Sequence, residues 1–518
     1  MNITQALHRT ATQHPDRVAT IDGARTRTYA ELLDRTARLG SALGTLGAGP
    51  GQRVAILGLN SDRFLESMLG VLWAGAALNP VNIRWNAEEI AYSLADSDTA
   101  LLIVDDAFAA LVPGLLRACP SLHTVIHCGD GPTPDGMAGF EALIAAAEPV
   151  EAVEPDADEL AGVFYTGGTT GFPKGVMLSH TNLFSSAMGG LLTRHAEPMV
   201  EDYRYLHAMP MFHLAGIGLF LVALIRGGTH VLIPFFNPPQ VLRVIAELRI
   251  NETALAPIMI QLLLDQPDFA EHDLTCLVNV NYGAAPMPES LLRRAIAGLP
   301  GVQLTQAYGM TELSPLATLL LPADHHDAAR LRSAGRPCVH ADVRVVDEQD
   351  APVPGGTIGE IVCRGPHVML GYWNRPAETA AVLRNGWMHT GDLGFLDGDG
   401  YLHVVDRLKD MIVSGGENVY SAEVENAIAT HPAVAGCAVI GVPDDRWGER
   451  VHAVVVLREG TSVTEDAIRE HARLTIAGYK CPRSVEFVDS LPLSSTNKVL
   501  KTELRDRLRH RETAASDG

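Results

Sequence analysis

Eleven consecutive residues, Tyr165-Thr-Gly-Gly-Thr-Thr-Gly-Phe-Pro-Lys-Gly, concentrate small backbone, hydroxyl donors and one cation. Glycine lets backbone N–H groups approach an anion closely, and threonine hydroxyls add further donors. Thr166, Gly167, Gly168, Thr169, Thr170 and Gly171 therefore form a phosphate cradle, with Lys174 as its point charge. The order is not that of a Walker loop, because Phe172 and Pro173 separate the lysine from the last glycine. A surface hairpin has no need of so many hydroxyl donors. Lysine is scarce elsewhere. Of 40 cationic residues only Lys174, Lys409, Lys480, Lys498 and Lys501 are lysine, so each position invites the question of what a compact, flexible charge does there.

The loop resembles the phosphate loop of the adenylate-forming superfamily, which holds acyl-CoA synthetases, luciferases and peptide-synthetase adenylation domains. Four more motifs follow in that family's order. Tyr308-Gly-Met-Thr-Glu resembles its aromatic-Gly-x-Thr-Glu motif, and Trp387-Met-His-Thr-Gly-Asp-Leu-Gly its Thr-Gly-Asp motif. The run Asp406-Arg-Leu-Lys-Asp-Met-Ile-Val-Ser-Gly-Gly-Glu-Asn-Val-Tyr resembles the hinge and the loop after it, and Asn497-Lys-Val-Leu-Lys the C-terminal lysine motif.

The resemblance implies a role for each matching position. Glu312, beside the Thr311 hydroxyl, would hold Mg2+ on the ATP phosphates together with Thr170, a task for hard oxygen ligands. Tyr308 and Gly309 would face adenine, and Gly283, Ala284 and Ala285 would run along the purine edge. Asp392 would accept from both ribose hydroxyls, with Arg407 as a second ribose contact. Lys498 would face the charge that builds as a carboxylate attacks the α-phosphorus, a contribution of about 3 kcal/mol by analogy with one oxyanion donor. Lys409 would be the pivot that lets a second domain swing. Gly415, Gly416 and Glu417 would then line a pantetheine tunnel, with Lys480 near the coenzyme A entrance. Lys501 is at least as well read as a surface residue. Asp397-Gly-Asp-Gly reads as a β-turn and not a metal site.

Met209-Pro-Met-Phe-His-Leu-Ala-Gly-Ile resembles the acyl-pocket motif of CoA ligases, with His213 as a gate beside the acyl carboxylate. An amino-acid-activating relative would place an aspartate here for the substrate ammonium. Phe212, Leu214, Gly216, Tyr282 and Met310, with Val280, Ala284 and Gly309, give an apolar wall with several small residues. That wall suits a hydrophobic or bulky cyclic acid better than acetate. The expected reaction is acyl-AMP formation from ATP, then transfer of the acyl group to CoA.

Two positions depart from the family pattern. Asn497 stands where glycine usually precedes the lysine, and Asn tolerates left-handed backbone. Gly167 stands where serine is common, removing a phosphate hydrogen bond worth roughly 1.5–3 kcal/mol. The second departure keeps a thioesterification-only enzyme among the readings. A non-catalytic acyl- or nucleotide-binding homologue and a luciferase-type oxygenase are the others.

These motifs need a scaffold. Helical spacing over 29–46, the apolar strand from Arg53, a helix over 62–73 and the strand after Ala100 alternate, which predicts α/β architecture with parallel sheets covered by helices. The acidic stretch 148–159 reads as a surface linker. After Arg407 short helices and strands form a smaller α+β module, so we expect an adenylation domain over 1–407 and a mobile domain over 408–518. The net charge of −21 argues against non-specific nucleic-acid binding. Seven scattered cysteines suggest reduced thiols, and the N-terminal residues lack a signal pattern. The longest apolar run, from Leu214 to Ile225, is too short to span a bilayer and reads as a buried helix. A cytoplasmic enzyme is the expectation, and a homodimer is one arrangement the sequence allows.

Overall fold

A computed structural model describes residues 3–156, 158–166, 173–194, 202–415, 417–444, 446–493 and 499–516, with side chains to Leu508. Among the described residues the strands form four sheets.

Arg53–Leu57 is buried along its whole length, as a central parallel strand covered on both faces must be. It pairs in parallel with Ala77–Pro80 and Leu101–Val104, and this series makes the body of an eight-stranded sheet. One edge turns antiparallel: Leu160–Thr166 pairs with Lys174–Ser179, which pairs with Gly371–Tyr372. In that pair Thr166 lies opposite Lys174, so the two described ends of the glycine- and threonine-rich motif face each other across the strands.

The second sheet has nine strands with a parallel centre, Thr229–Leu232, Arg204–His207, Glu252–Leu255, Asn279–Gly283 and Gln303–Tyr308. The covering helices begin where the sequence places caps. Thr28 and Glu31 form a capping box for Tyr29–Thr45, and Ser179 with Asn182 forms one for His180–Thr193. The apolar run is the helix Leu214–Arg226, capped by His213 and stopped by Gly227 at φ +68°.

The third sheet went unread in the sequence. Asp342–Val346, Gly359–Arg364, Trp387–Leu396 and Leu402–Arg407 pair antiparallel, each with the next. It carries Asp392 and Arg407 as opposed residues. The Asp397 turn between its last two strands is a β-turn as expected: Asp397 Oδ1 accepts from the Asp399 and Tyr401 N–H groups.

The fourth sheet is built from Ile412–Ser414, Glu417–Val419, Val434–Asp444, Gly448–Leu457 and Ser484–Phe487. Helices Ser421–Ala429 and Glu465–Arg473 pack with it around a separate core that includes Val424, Ile428, Val451 and Ile468. The large α/β part and the small α+β part are thus as the sequence rhythm implies.

Candidate active site

Asn279–Gly283 and Gln303–Tyr308 run in parallel and end side by side, with Gly283 opposite Ala307. The carboxyl ends of such strands are where α/β sheets bind ligands. A Cβ on Gly283 would lie 2.3 Å from the Ala307 carbonyl oxygen, so only glycine fits. Ala284, next along, is held at φ +64°, a conformation that costs a non-glycine residue roughly 1 kcal/mol. A strained backbone strip therefore starts where the purine-edge residues Gly283, Ala284 and Ala285 were expected.

Tyr308 ends the neighbouring strand, and its hydroxyl donates to Asp392 Oδ2 at 2.7 Å. Arg407 Nε lies 2.6 Å from Asp392 Oδ1. Both oxygens of this buried carboxylate thus face donors, the geometry a ribose diol would ask of it. Burial, with the Asp392 charge beside it, pushes the Tyr308 phenol well above its usual value.

A second chain of contacts begins four residues on. Glu312 is buried in the 3-10 turn Thr311–Leu313, and its Oε1 accepts from the Tyr372 hydroxyl at 2.8 Å. The Lys174 ammonium sits 5.2 Å from the centre of the Tyr372 ring and pairs with Glu378. Tyr372 therefore joins the magnesium candidate to the phosphate-loop lysine, one through its hydroxyl and one through its face. Neither Tyr372 nor Glu378 was singled out in the sequence. Gly309 lets this stretch close on itself, since a Cβ there would meet the Pro315 carbonyl oxygen at 2.0 Å.

The acyl candidates divide. His213 caps the helix Leu214–Arg226, its Nδ1 accepting from the Ala215 N–H at 3.3 Å. Phe212 and Leu214 flank it and are buried, while Met310 packs half-buried against the same core. Gly216 brings the helix onto the loop before it, where a Cβ would meet the Pro210 carbonyl oxygen at 2.5 Å. Tyr282, with Val280, is a packed side chain of the second sheet's core. Its hydroxyl donates at 2.9 Å to His325 Nε2, because His325 Nδ1 donates to the Leu321 carbonyl.

On the C-terminal side, Ser414 and Glu417 face each other across a hairpin. Gly415 takes φ +64° after Ser414 and donates its N–H to the Trp447 carbonyl at 2.7 Å. A Cβ on Gly415 would come within 2.9 Å of the Trp447 ring. Lys480 is bidentate to Glu423, at 2.7 Å from both oxygens. Desolvation opposes the Lys480 charge, but Glu423 prevails and raises its pKa. Lys409 shifts the other way: desolvation, with Arg407 and Arg505 near, lowers it against the pull of Asp410.

Of the two readings of Lys501, a surface residue or a CoA contact, the structure disfavours the first. The lysine is half-buried, donates to Ser421 Oγ at 2.5 Å and pairs with Glu425 at 2.7 Å. Ser421 in turn gives its N–H and hydroxyl to Asp406, at 2.5 and 2.8 Å. One turn along the last helix, Arg505 bonds Asp410 at 2.8 Å. The C-terminal helix thereby holds Asp410, just after Lys409, and Ser421, whose own bonds reach back to Asp406 before it. Gly167, Gly168, Thr169, Thr170, Gly171, Gly416 and Lys498 lie outside the described residues.

A buried carboxylate flanked by two donors, a buried acid held by a tyrosine hydroxyl, and a lysine on the face of that same tyrosine form a charged cluster suited to an anionic, hydroxyl-bearing ligand. Comparison with known proteins agrees. The family of AMP-binding enzymes matches residues 7–373, and the AMP-binding enzyme C-terminal domain matches residues 423–498. A feruloyl-CoA synthase of Amycolatopsis sp is 41% identical over 504 residues, covering 96% of this chain and 97% of that one. The anthranilate CoA ligase AuaEII in complex with anthranoyl-AMP superposes with a TM-score of 0.90 at 27% identity, over 98% and 97% of the two chains. The o-succinylbenzoate CoA synthetase of Bacillus subtilis, with its acyl-adenylate, gives 0.85 at 31% identity over 97% and 98%. The chain belongs to the AMP-binding enzymes of the adenylate-forming superfamily. It is an acid–thiol ligase that uses ATP, Mg2+ and CoA.

Proposed function

We propose that this chain activates a bulky, ring-bearing carboxylic acid as its acyl-adenylate and passes the acyl group to CoA at the same site. The observation that carries this reading is the pair of contact chains, Tyr308–Asp392–Arg407 and Lys174–Tyr372–Glu312, that leave one short stretch of sequence. Ring-bearing acids are supported by the apolar loop beside that stretch, and by relatives named for ferulate, anthranilate and succinylbenzoate.

In this reading Tyr308 presents its ring to adenine, and Asp392 exchanges its present donors for the ribose hydroxyls. The strip from Gly283 to Ala285 lies along the base. Lys174 leaves Glu378 for the phosphates. Glu312, a hard oxygen donor fixed by Tyr372, fits Mg2+, which when bound offsets phosphate charge. His213 and Phe212 border the carboxylate and the acyl body. Lys498 supplies positive charge where the carboxylate oxygen attacks the α-phosphorus and pyrophosphate leaves. The C-terminal module, residues 408–518, then turns about Lys409. The Gly415–Gly416 turn guides the CoA thiol to the acyl carbonyl, and AMP leaves. The seven unpaired cysteines suit a cytoplasmic setting.

The test is pyrophosphate exchange and CoA-dependent AMP release over a panel of acids: hydroxycinnamate, benzoate, hexanoate and acetate. Ring-bearing acids should lead. Exchange with none of them, alongside rapid CoA transfer from a synthetic acyl-AMP, would reduce the chain to a thioesterification enzyme. Lys498→Ala should lower exchange about 10²–10³-fold and largely spare transfer from acyl-AMP. Equal loss of both would remove the division of labour.

A further inference from the structure

Asn60 lies just past the central strand Arg53–Leu57, about 150 residues from the acyl loop, and is 5% exposed. Its side chain is spent on that loop. Nδ2 donates to the His207 carbonyl at 3.2 Å and to the Met209 carbonyl at 2.9 Å. Oδ1 accepts from the Met211 N–H at 2.8 Å. The backbone N–H of Asn60 reaches the Pro234 carbonyl at 3.3 Å, beyond the end of the neighbouring strand Thr229–Leu232.

We infer that Asn60 is a positioning residue for acid selectivity: one amide fixes the loop that aims Phe212 and His213. The chemistry is specific to asparagine. Two carbonyls need two N–H donors from one group, and the Met211 N–H needs an acceptor on the same plane, which a carboxamide alone supplies at this length. Aspartate would turn an oxygen toward two carbonyls. Alanine would remove all three of these bonds to the loop backbone. Pro210, between the anchored Met209 carbonyl and the anchored Met211 N–H, has no N–H of its own to help. The next residues are Phe212 and the helix cap His213, so a shift of the anchored carbonyls carries the acyl wall with it. The nucleotide chains do not pass through Asn60. The inference rests on the reading of 209–216 as the acyl loop.

The experiment compares Asn60→Ala with Asn79→Ala. Asn79 is a fully buried asparagine in the same sheet that bonds only Ser97 and Thr99 among its described hydrogen bonds. Thermal unfolding, the KM for ATP, and kcat/KM for 4-hydroxycinnamate and hexanoate are measured for each. Both variants should lose stability. Only Asn60→Ala should change the ratio between the two acids, by about 10-fold, through the acid KM, with the ATP KM within about twofold of wild type. If Asn60→Ala does not fold, Asn60→Ser and Asn60→Asp serve the same measurement. A ratio unmoved at Asn60, or moved equally at Asn79, overturns the inference. Phe212→Ala separates the two claims. If it shifts the ratio while Asn60 variants do not, the acyl loop stands and the positioning role falls. If it leaves the ratio unchanged, the reading of the loop falls too.

Discussion

At the proposed nucleotide wall the side chains hold one another, whereas at the proposed acyl loop they ride on backbone held from another sheet. Tyr308, Asp392 and Arg407 bond in series, and Tyr372 links Glu312 with Lys174. Phe212 and His213 instead follow three backbone groups pinned by Asn60. The first arrangement ties every group to one geometry, which suits a ligand that never changes. The second leaves the facing side chains free to differ while their course is kept, which suits a pocket that must vary among relatives.

Perturbing the first region should therefore scale all acids together. Glu312→Gln is the largest case, with kcat/KM for ATP falling about 10²-fold and by the same factor for each acid. A factor that differed between acids would merge the two regions. Tyr372→Phe comes next. It keeps the ring under Lys174 and deletes the hydroxyl on Glu312, so about 10-fold should be lost, again uniformly, with a raised Mg2+ requirement in titrations.

A pH experiment probes the base of the acyl side. His207, whose carbonyl Asn60 holds, is buried against His230 at 3.0 Å. Burial lowers both imidazoles, His230 to about 3 and His207 well below its usual value. Below pH 6.5 the unfolded chain takes up protons that the folded chain refuses. Stability should fall as pH drops from 6.5 toward 4, by about 1 kcal/mol for each histidine at pH 6. Denaturant melts at pH 7.5 and 6 measure it, and His230→Gln should flatten the slope. An unchanged slope would show that the pair is not the source.

The smallest effect is at Glu378. Its pair with Lys174 is half-exposed, so Glu378→Gln should tighten ATP binding only a few-fold in equilibrium titration. Weaker binding would make Glu378 a support for Lys174 and not its competitor.

Much of this site was legible because its chemistry lies in contiguous runs. The phosphate loop, Tyr308 to Glu312 and the Asp392 motif each announce their residue types in a few positions. Tyr372, Glu378 and Asn60 act across 60, 204 and about 150 residues of sequence, to Glu312, Lys174 and the acyl loop, and no local spacing marks them. The parallel strands were visible as buried apolar runs. The third sheet was not, because its strands mix polar and apolar residues and one face of an antiparallel sheet can stay open. The bonds of Lys501 were hidden in the same way, since its partners Ser421 and Glu425 lie about 80 residues away.

The contact between Asp406 and the start of helix Ser421–Ala429 has a consequence for populations. It is the described side-chain bond that spans Lys409 directly, from the last strand of the third sheet to the C-terminal module. Charged hydrogen bonds of this kind contribute roughly 1.5–3 kcal/mol net, part of which water returns to an exposed helix start. By itself this contact would weight a docked arrangement by a ratio of tens. In the proposed turn about Lys409, a bias of that size is one that the differential binding of a single phosphate group can reverse, which would couple the chemical state of the nucleotide to the way the module faces.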